Sequence, residues 1–136
     1  MSERRVVVDT NILVSAMLSN KSISRKLLDQ ILRKEKLILS EEVLSEYLST
    51  LLSEKFDRYV SLQDRFHYLH LLIQKVSWVS IAEKIKICRD SKDDKLLELA
   101  INGNAEFIIT GDKDLLTLHP FRSTKIVTPR EFISLM

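Results

Sequence analysis

Short β-branched and apolar runs alternate with amphipathic helical patterns along this chain, and the alternation constrains its fold more than any other feature. Val6-Val7-Val8 is typical of a strand buried on both faces of a parallel sheet. Further strands are predicted at 37–39, 107–110 and 125–127, with a weaker one at 78–81. The pattern predicts a three-layer α/β/α sandwich around a central, mostly parallel sheet.

Apolar spacing and capping residues predict the helices between these strands. Helical patterns start at Ile23, after Ser40 and after Ser61, and another covers 92–102. In the helix after Ser61 we expect a buried side formed by Leu62, Phe66, Leu69, Ile73 and Val76. A short helix is predicted at 113–117, and a capping box at 128–131 opens the last one. The segment 9–11 is interpreted as a cap or turn.

The bulk properties fit one intracellular domain over residues 1–136. The chain has 45% hydrophobic and 29% charged residues, which is usual for a soluble globular protein. Cys88 is the single cysteine, so an internal disulfide is excluded and a cytoplasmic location is expected. No run approaches the ~20 apolar residues of a membrane span. The net charge of +2 is too small to identify a polyanionic partner.

Acidic residues gather where predicted parallel strands end. Ligands bind beyond the carboxyl ends of such strands, so acids at those positions are informative. One follows the first strand, two follow the strand that ends at Thr110, and three open the helix that leads into that strand. They are Asp9; Asp112 and Asp114; and Asp90, Asp93 and Asp94.

Two interpretations of these aspartates stay open at the level of single residues. Each one suits a helix N-cap or first turn, where a negative charge is favoured by about 0.3–1 kcal/mol. Together, however, close carboxylates repel each other unless a cation lies between them. A hard dication bound through oxygen atoms resolves the repulsion, and Mg²⁺ or Mn²⁺ fits best. The set as a whole therefore favours a metal site.

Glu46 is a less obvious candidate. Counting about 100° per residue places it on the polar face of its helix, where it is either a solvated glutamate or a member of a site open to a polymeric substrate. Glu42, one turn earlier, is the competing candidate.

Four segments together resemble the PIN domain family, in the branch of toxins from toxin–antitoxin pairs. In order along nearly the whole chain they are Val6-Val7-Val8-Asp9-Thr10-Asn11, Ser40-Glu41-Glu42-Val43-Leu44-Ser45-Glu46-Tyr47, Asp90-Ser91-Lys92-Asp93-Asp94-Lys95-Leu96-Leu97-Glu98-Leu99-Ala100 and Ile108-Ile109-Thr110-Gly111-Asp112-Lys113-Asp114. Any one of these motifs is weak, but four in register are specific. The resemblance implies a metal-dependent endoribonuclease whose products carry 5′-phosphate and 3′-hydroxyl ends.

The resemblance also implies a set of site residues. The catalytic acids are Asp9, Glu46, Asp93 and Asp112, and the metal ligands are Asp9, Asp93 and Asp112. Asp90 and Asp94 remain alternatives to Asp93, because the family often has Asp-Asn where this chain has Asp93-Asp94. Asn11 and Thr110 would orient their neighbours by hydrogen bonds. Asp114 would be an outer ligand or a helix cap.

The expected partners are RNA, a cognate antitoxin and a second copy of the chain in a dimer, with no membrane. Lysines and an arginine near the acids are candidates for holding the RNA backbone or are simply solvated: Lys92, Lys95, Lys113, Lys21, Arg25 and Lys26.

Two other functions compete with the nuclease. One is a non-catalytic scaffold of the same fold that binds nucleic acid or protein. The other is a receiver-type phosphoacceptor domain, which needs an acceptor aspartate after a middle strand and a lysine after the last-but-one strand. The predicted strand 78–81 is followed by Ala82, so the acceptor aspartate is missing at that place.

Overall fold

The computed structural model describes residues 3–135, and within them the chain forms five strands, seven α-helices and one 3₁₀ turn. The strands are β1 (Arg5–Val8), β2 (Lys36–Leu39), β3 (Ser77–Trp78), β4 (Phe107–Ile109) and β5 (Lys125–Val127). The helices are α1 (Thr10–Leu18), α2 (Ile23–Lys34), α3 (Glu41–Leu51), α4 (Leu62–Ile73), α5 (Ser91–Asn102), α6 (Lys113–Leu116) and α7 (Pro129–Ser134), and the 3₁₀ turn is Glu54–Phe56. The single domain predicted over 1–136 includes residues 1, 2 and 136, which lie outside the described residues.

All neighbouring strands are parallel, in the order β3-β2-β1-β4-β5. Val7 pairs with Ile108, and Ile108 pairs with Ile126, so the middle of the sheet is built from β-branched residues. The side chains of β1 are completely buried from Val6 to Val8, as expected for a central parallel strand. The predicted α/β class, with a parallel sheet flanked by helices, is confirmed.

Helix α1 was not predicted from the sequence. Asp9 does act as its N-cap, but the chain continues as a helix to Leu18 instead of turning. The sequence signal was the apolar run Ile12-Leu13-Val14, all three of which are buried. Because every position in that run is apolar, it has little helical periodicity to detect.

The predicted inward face of α4 was wrong for Leu62 and Phe66. Both side chains are about half exposed, whereas Arg65 between them is 1% exposed. The Arg65 guanidinium donates hydrogen bonds to backbone carbonyls at the end of α3 and in the following loop, and pairs with Asp57 at 2.7 Å. An arginine that satisfies several carbonyls can thus take a position where periodicity predicts an apolar residue.

The other element bounds differ from prediction only at their ends, and β3 is shorter than predicted, Ser77–Trp78 instead of 78–81. No helix within residues 3–135 is long and apolar enough to cross a membrane.

Candidate active site

The sheet reverses its winding direction at β1, because β2 lies on one side of β1 and β4, which comes later in the chain, lies on the other. Such a switch point leaves a crevice beyond the carboxyl ends of the two strands. Asp9 directly follows β1, and Asp112 follows β4 by three residues. A pocket of about 170 Å³ lies at this place. Its charged lining residues are Asp9, Glu46, Asp90, Asp93, Asp112, Lys92 and Lys95.

Asp9 and Asp112 are linked through Thr110, a completely buried residue. The Thr110 hydroxyl donates to Oδ2 of Asp9 at 2.6 Å and accepts a hydrogen bond from the Asp112 backbone N–H at 3.0 Å. The Asn11 backbone N–H donates to the other Asp9 carboxyl oxygen at 3.4 Å. Burial raises the pKa of Asp9 and the nearby Asp112 charge adds to the shift, while the Thr110 and Asn11 donors oppose it.

Asp93 reaches the same pocket from the first turn of α5 and is 8% exposed. Its pKa is raised to about 7, first by burial and then by the charges of Asp112, Asp9 and Asp90. A hydrogen bond with the Asp112 side chain stabilises the protonated form of Asp93 further. Asp9, Asp90, Asp93 and Asp112 all line this one pocket, so their charges are close enough to affect each other.

Asp94 points elsewhere, although it is adjacent to Asp93 in the chain. Its Oδ1 accepts hydrogen bonds from the backbone N–H groups of Ile87 and Cys88 at 3.0 and 2.9 Å. Burial alone would raise the pKa of Asp94, but the two backbone donors, the Cys88 side chain and the charge of Lys86 together outweigh it and lower the pKa. Of the three alternatives left open by the sequence, Asp93 is the one most enclosed among the other acids of the pocket.

Glu46 lines the pocket from α3, with its side chain 20% exposed. Its neighbour Tyr47 is completely buried and donates from its hydroxyl to the Val8 carbonyl at 2.6 Å, which fixes the rotation of α3 against the end of β1. Nζ of Lys95 lies 3.1 Å from Oε1 of Glu46. The competing candidate Glu42 does not line the pocket and pairs with Lys84 at 3.6 Å.

The remaining candidates lie at the edge of the site or away from it. Asp90 and Asp112 are the N-caps of α5 and α6, so both interpretations of these aspartates apply at once: each caps a helix and lines the pocket. Asn11 and Lys92 line the pocket, while Lys113 and Asp114 do not. Lys21, Arg25 and Lys26 do not line it either.

The donor chemistry fits a hard dication, since carboxylate oxygens from β1, α5 and the start of α6 meet in one pocket. Within residues 3–135, however, no three such side chains are already arranged to coordinate a metal ion. Asp9, Asp93 and Asp112 are the residues that would hold the ion.

Comparison with known proteins agrees with this fold. The family model described as PIN domain matches residues 5–114, and the chain belongs to this family. An uncharacterized protein from Methanocaldococcus jannaschii is 33% identical over 140 residues, which cover 95% of this chain and 89% of that protein. The resemblance seen in the sequence motifs is confirmed.

Two solved structures share the fold at low sequence identity. One is a crystal structure of VapBC2 from Rickettsia felis bound to a DNA fragment from its promoter. It matches with a TM-score of 0.63 and 14% identity, over 91% of this chain and 98% of that one. PAE2754 from Pyrobaculum aerophilum matches with a TM-score of 0.63 and 12% identity, over 98% of this chain and 88% of that one.

The receiver-type hypothesis does not fit the observed sheet. The strand at Ser77–Trp78, used to reject an acceptor aspartate, is an edge strand, and the middle strand is β1, which Asp9 follows. The last-but-one strand is followed by Thr110 rather than by the lysine that a receiver domain needs. The middle strand is thus β1 and not the one predicted at 78–81, and family membership and Thr110 also exclude a receiver domain.

Sequence reasoning missed two features that shape the site. One is the Glu46–Lys95 ion pair between α3 and α5, which has no signal in a single helix. The other is a row of acceptors on α5 that holds the irregular segment before it. Asp94, Glu98 and Asn102 are spaced by four residues, so they share one helix face, and this spacing was the available signal.

Proposed function

We propose that this protein is a Mg²⁺- or Mn²⁺-dependent endoribonuclease that hydrolyses RNA phosphodiester bonds and acts as the toxin of a toxin–antitoxin pair. The observation that carries the proposal is the meeting of Asp9, Glu46, Asp93 and Asp112 in one pocket from four separate parts of the chain. Membership in the PIN domain family supports it.

Each acid has a separate part in the proposed reaction. Asp9, Asp93 and Asp112 would hold the metal, which would supply the activation of water and the neutralisation of charge on the phosphate. Glu46 accepts the proton of the attacking water, since its carboxylate lines the pocket without belonging to the Asp9–Thr110–Asp112 hydrogen-bond chain. Lys92, exposed at the pocket edge, binds a phosphate oxygen of the RNA.

We propose that this protein pairs with an antitoxin protein, because it resembles toxins of toxin–antitoxin pairs in its motifs and shares its fold with VapBC2 from Rickettsia felis. A homodimer is part of the same proposal.

The direct test is cleavage of single-stranded RNA by purified protein with Mn²⁺. We expect cleavage that stops in excess EDTA and in Asp9→Asn, with products that carry 5′-phosphate ends. Asp64→Asn is the matched control, because Asp64 is also an aspartate near a helix N-terminus but lines no part of the pocket. Circular dichroism of each variant checks that the fold persists.

The same purified protein can be used to distinguish a nuclease from a non-catalytic scaffold. A scaffold need not bind Mn²⁺, so calorimetry that detects no Mn²⁺ binding, or undiminished cleavage by Asp9→Asn, contradicts the nuclease proposal.

A further inference from the structure

A second cavity, of about 180 Å³, adjoins the acid pocket and shares Asp93 with it. Asp93 therefore forms part of the wall between the proposed reaction centre and this neighbouring space. A nucleotide whose phosphate lies among the acids has its own base, or the base of the next nucleotide, within reach of the second cavity. The rest of this cavity is contributed by the segment before α5 and by residues of α6 and its C-terminal end.

One wall of the cavity is held rigidly although it has no regular secondary structure. The irregular segment 79–90 donates five backbone hydrogen bonds of 2.8–3.0 Å to side chains of α5. The donors are the N–H groups of Ala82, Glu83, Ile85, Ile87 and Cys88, and the acceptors are Asn102, Glu98 and Asp94. This attachment fixes the backbone at Ile87 before any ligand arrives, which lowers the entropic cost of binding there.

The lining combines apolar surface with unpaired charge. Ile87 is 58% exposed and faces the same cavity as the half-buried Leu118, so a flat apolar group between them would remove apolar surface from water. Arg89 and Asp114 also line it, and within residues 3–135 neither side chain has a salt-bridge partner. A guanidinium plane stacks on bases, and a carboxylate accepts two hydrogen bonds side by side.

We propose that this cavity is a nucleobase site and that it selects guanine beside the scissile phosphate. Guanine is the RNA base whose Watson–Crick edge presents two adjacent donors, N1–H and the N2 amino group, which match the two oxygens of the Asp114 carboxylate. Ile87 and Leu118 cover the faces of the base, and Arg89 stacks on it or holds the adjoining phosphate. The assignment rests on the proposed ribonuclease function and adds the substrate preference.

The first test uses single-stranded oligoribonucleotides that carry one guanosine in a uridine background, with adenosine, cytidine or inosine substituted at that position. We expect cleavage at a bond next to guanosine, with kcat/KM at least about tenfold above that for the other bases, in line with one bidentate contact. Inosine keeps N1–H but lacks the amino group, so its value should fall between. Uniform cleavage, or equal rates for inosine and guanosine, overturns the proposal.

Substitutions in the cavity test whether it causes the preference for guanosine. Asp114→Asn should abolish the advantage of guanosine over the other bases, and Ile87→Ala should raise KM for the guanosine substrate. Asp64→Asn, the matched control, should keep the guanosine preference. If Asp114→Asn slows cleavage at every base equally, Asp114 serves the metal instead and the base site is wrong.

A measurement of RNA binding tests the guanine site independently of the ribonuclease proposal. Fluorescence anisotropy with Asp9→Asn, which is expected to bind without cutting, should show at least about tenfold tighter binding of the guanosine oligonucleotide than of its uridine counterpart. If the wild type cuts no RNA but this difference persists and Asp114→Asn abolishes it, only the ribonuclease proposal fails. Equal binding overturns the guanine site.

Discussion

At the scale of single residues, the site depends on side chains that each perform a structural task as well as the proposed chemical one. Asp9 caps α1 with one carboxyl oxygen while its other oxygen accepts from Thr110. Asp112 caps α6 through Oδ1 and contributes charge to the acid pocket. A carboxylate has two oxygens and four lone-pair positions, so capping a helix does not exclude metal binding.

Some of the site residues could be predicted from the sequence and others could not. Asp9 directly follows β1 and Asp112 lies three residues after β4, so their meeting could be predicted from the parallel sheet. Choosing Asp93 over Asp94 from the residues alone was not possible, because both lie in the first turn of α5 and differ only in which neighbours they face. That difference is set by the segment 79–90, whose path no local pattern encodes.

Lys95→Met should lower kcat by roughly ten- to a hundredfold with little change in KM, because Glu46 loses the ammonium group that holds it in the pocket. Lys95→Arg should restore much of the rate. By contrast, Lys92→Met should mainly raise KM, since Lys92 is proposed to contact phosphate. The measurement is steady-state RNA cleavage.

A double-mutant cycle checks the mechanism of that effect. Lys95→Met should change kcat little when Glu46 is already Gln, because both substitutions then remove one function. Independent, multiplying effects on kcat would contradict the role given to the ion pair.

The pKa of Asp93 predicts a pH dependence of stability in metal-free protein. The pKa is raised in the folded state, to about 7 from 3.8, so the folded protein binds more protons between these values. This group's contribution to the free energy of unfolding is therefore fully present below about pH 4 and is lost as pH rises through about 7. Urea denaturation measures the free energy of unfolding of the wild type and of Asp93→Asn. The difference between the two proteins should be smaller at pH 5 than at pH 8. An unchanged difference would contradict the close packing of the acids.

At the scale of elements, periodicity located most helices and strands but failed where polar groups determine the packing. Strands β1, β4 and β5 were predictable because buried parallel strands are short apolar runs. The inward positions predicted for Leu62 and Phe66 on α4 were wrong because Arg65 is buried through hydrogen bonds to main-chain carbonyls, and a hydrophobicity pattern cannot detect such partners. The segment 79–90 was missed for the same reason, since its available signal was the spacing of the polar acceptors on α5 that hold it and not a hydrophobic pattern.

Arg65→Met should lower the free energy of unfolding by about 3 kcal/mol, because buried carbonyls at the end of α3 lose their donor and each such loss costs about 1–3 kcal/mol. Leu62→Ala on the same helix, at a half-exposed position, should cost less than about 1 kcal/mol. Chemical denaturation measures both. Equal losses would mean that Arg65 does not anchor α4.

At the scale of the whole molecule, the topology brings distant acids together. The chain winds outward from β1 through β2 to β3, then crosses back to place β4 on the other side of β1. Asp9 and Asp112, more than a hundred positions apart, thereby end on neighbouring strands. Strand alternation predicted the parallel sheet, but the strand order depends on which helices pack together, which a single sequence does not state.

The central claim is that this topology creates one site for a divalent metal ion. Anomalous diffraction from crystals soaked in Mn²⁺ tests it most directly. We predict a Mn²⁺ peak in the acid pocket within bonding distance of Asp9, Asp93 and Asp112, and its loss in Asp9→Asn crystals. A soaked crystal with those three carboxylates free of metal, or with Mn²⁺ bound only elsewhere, would contradict the account.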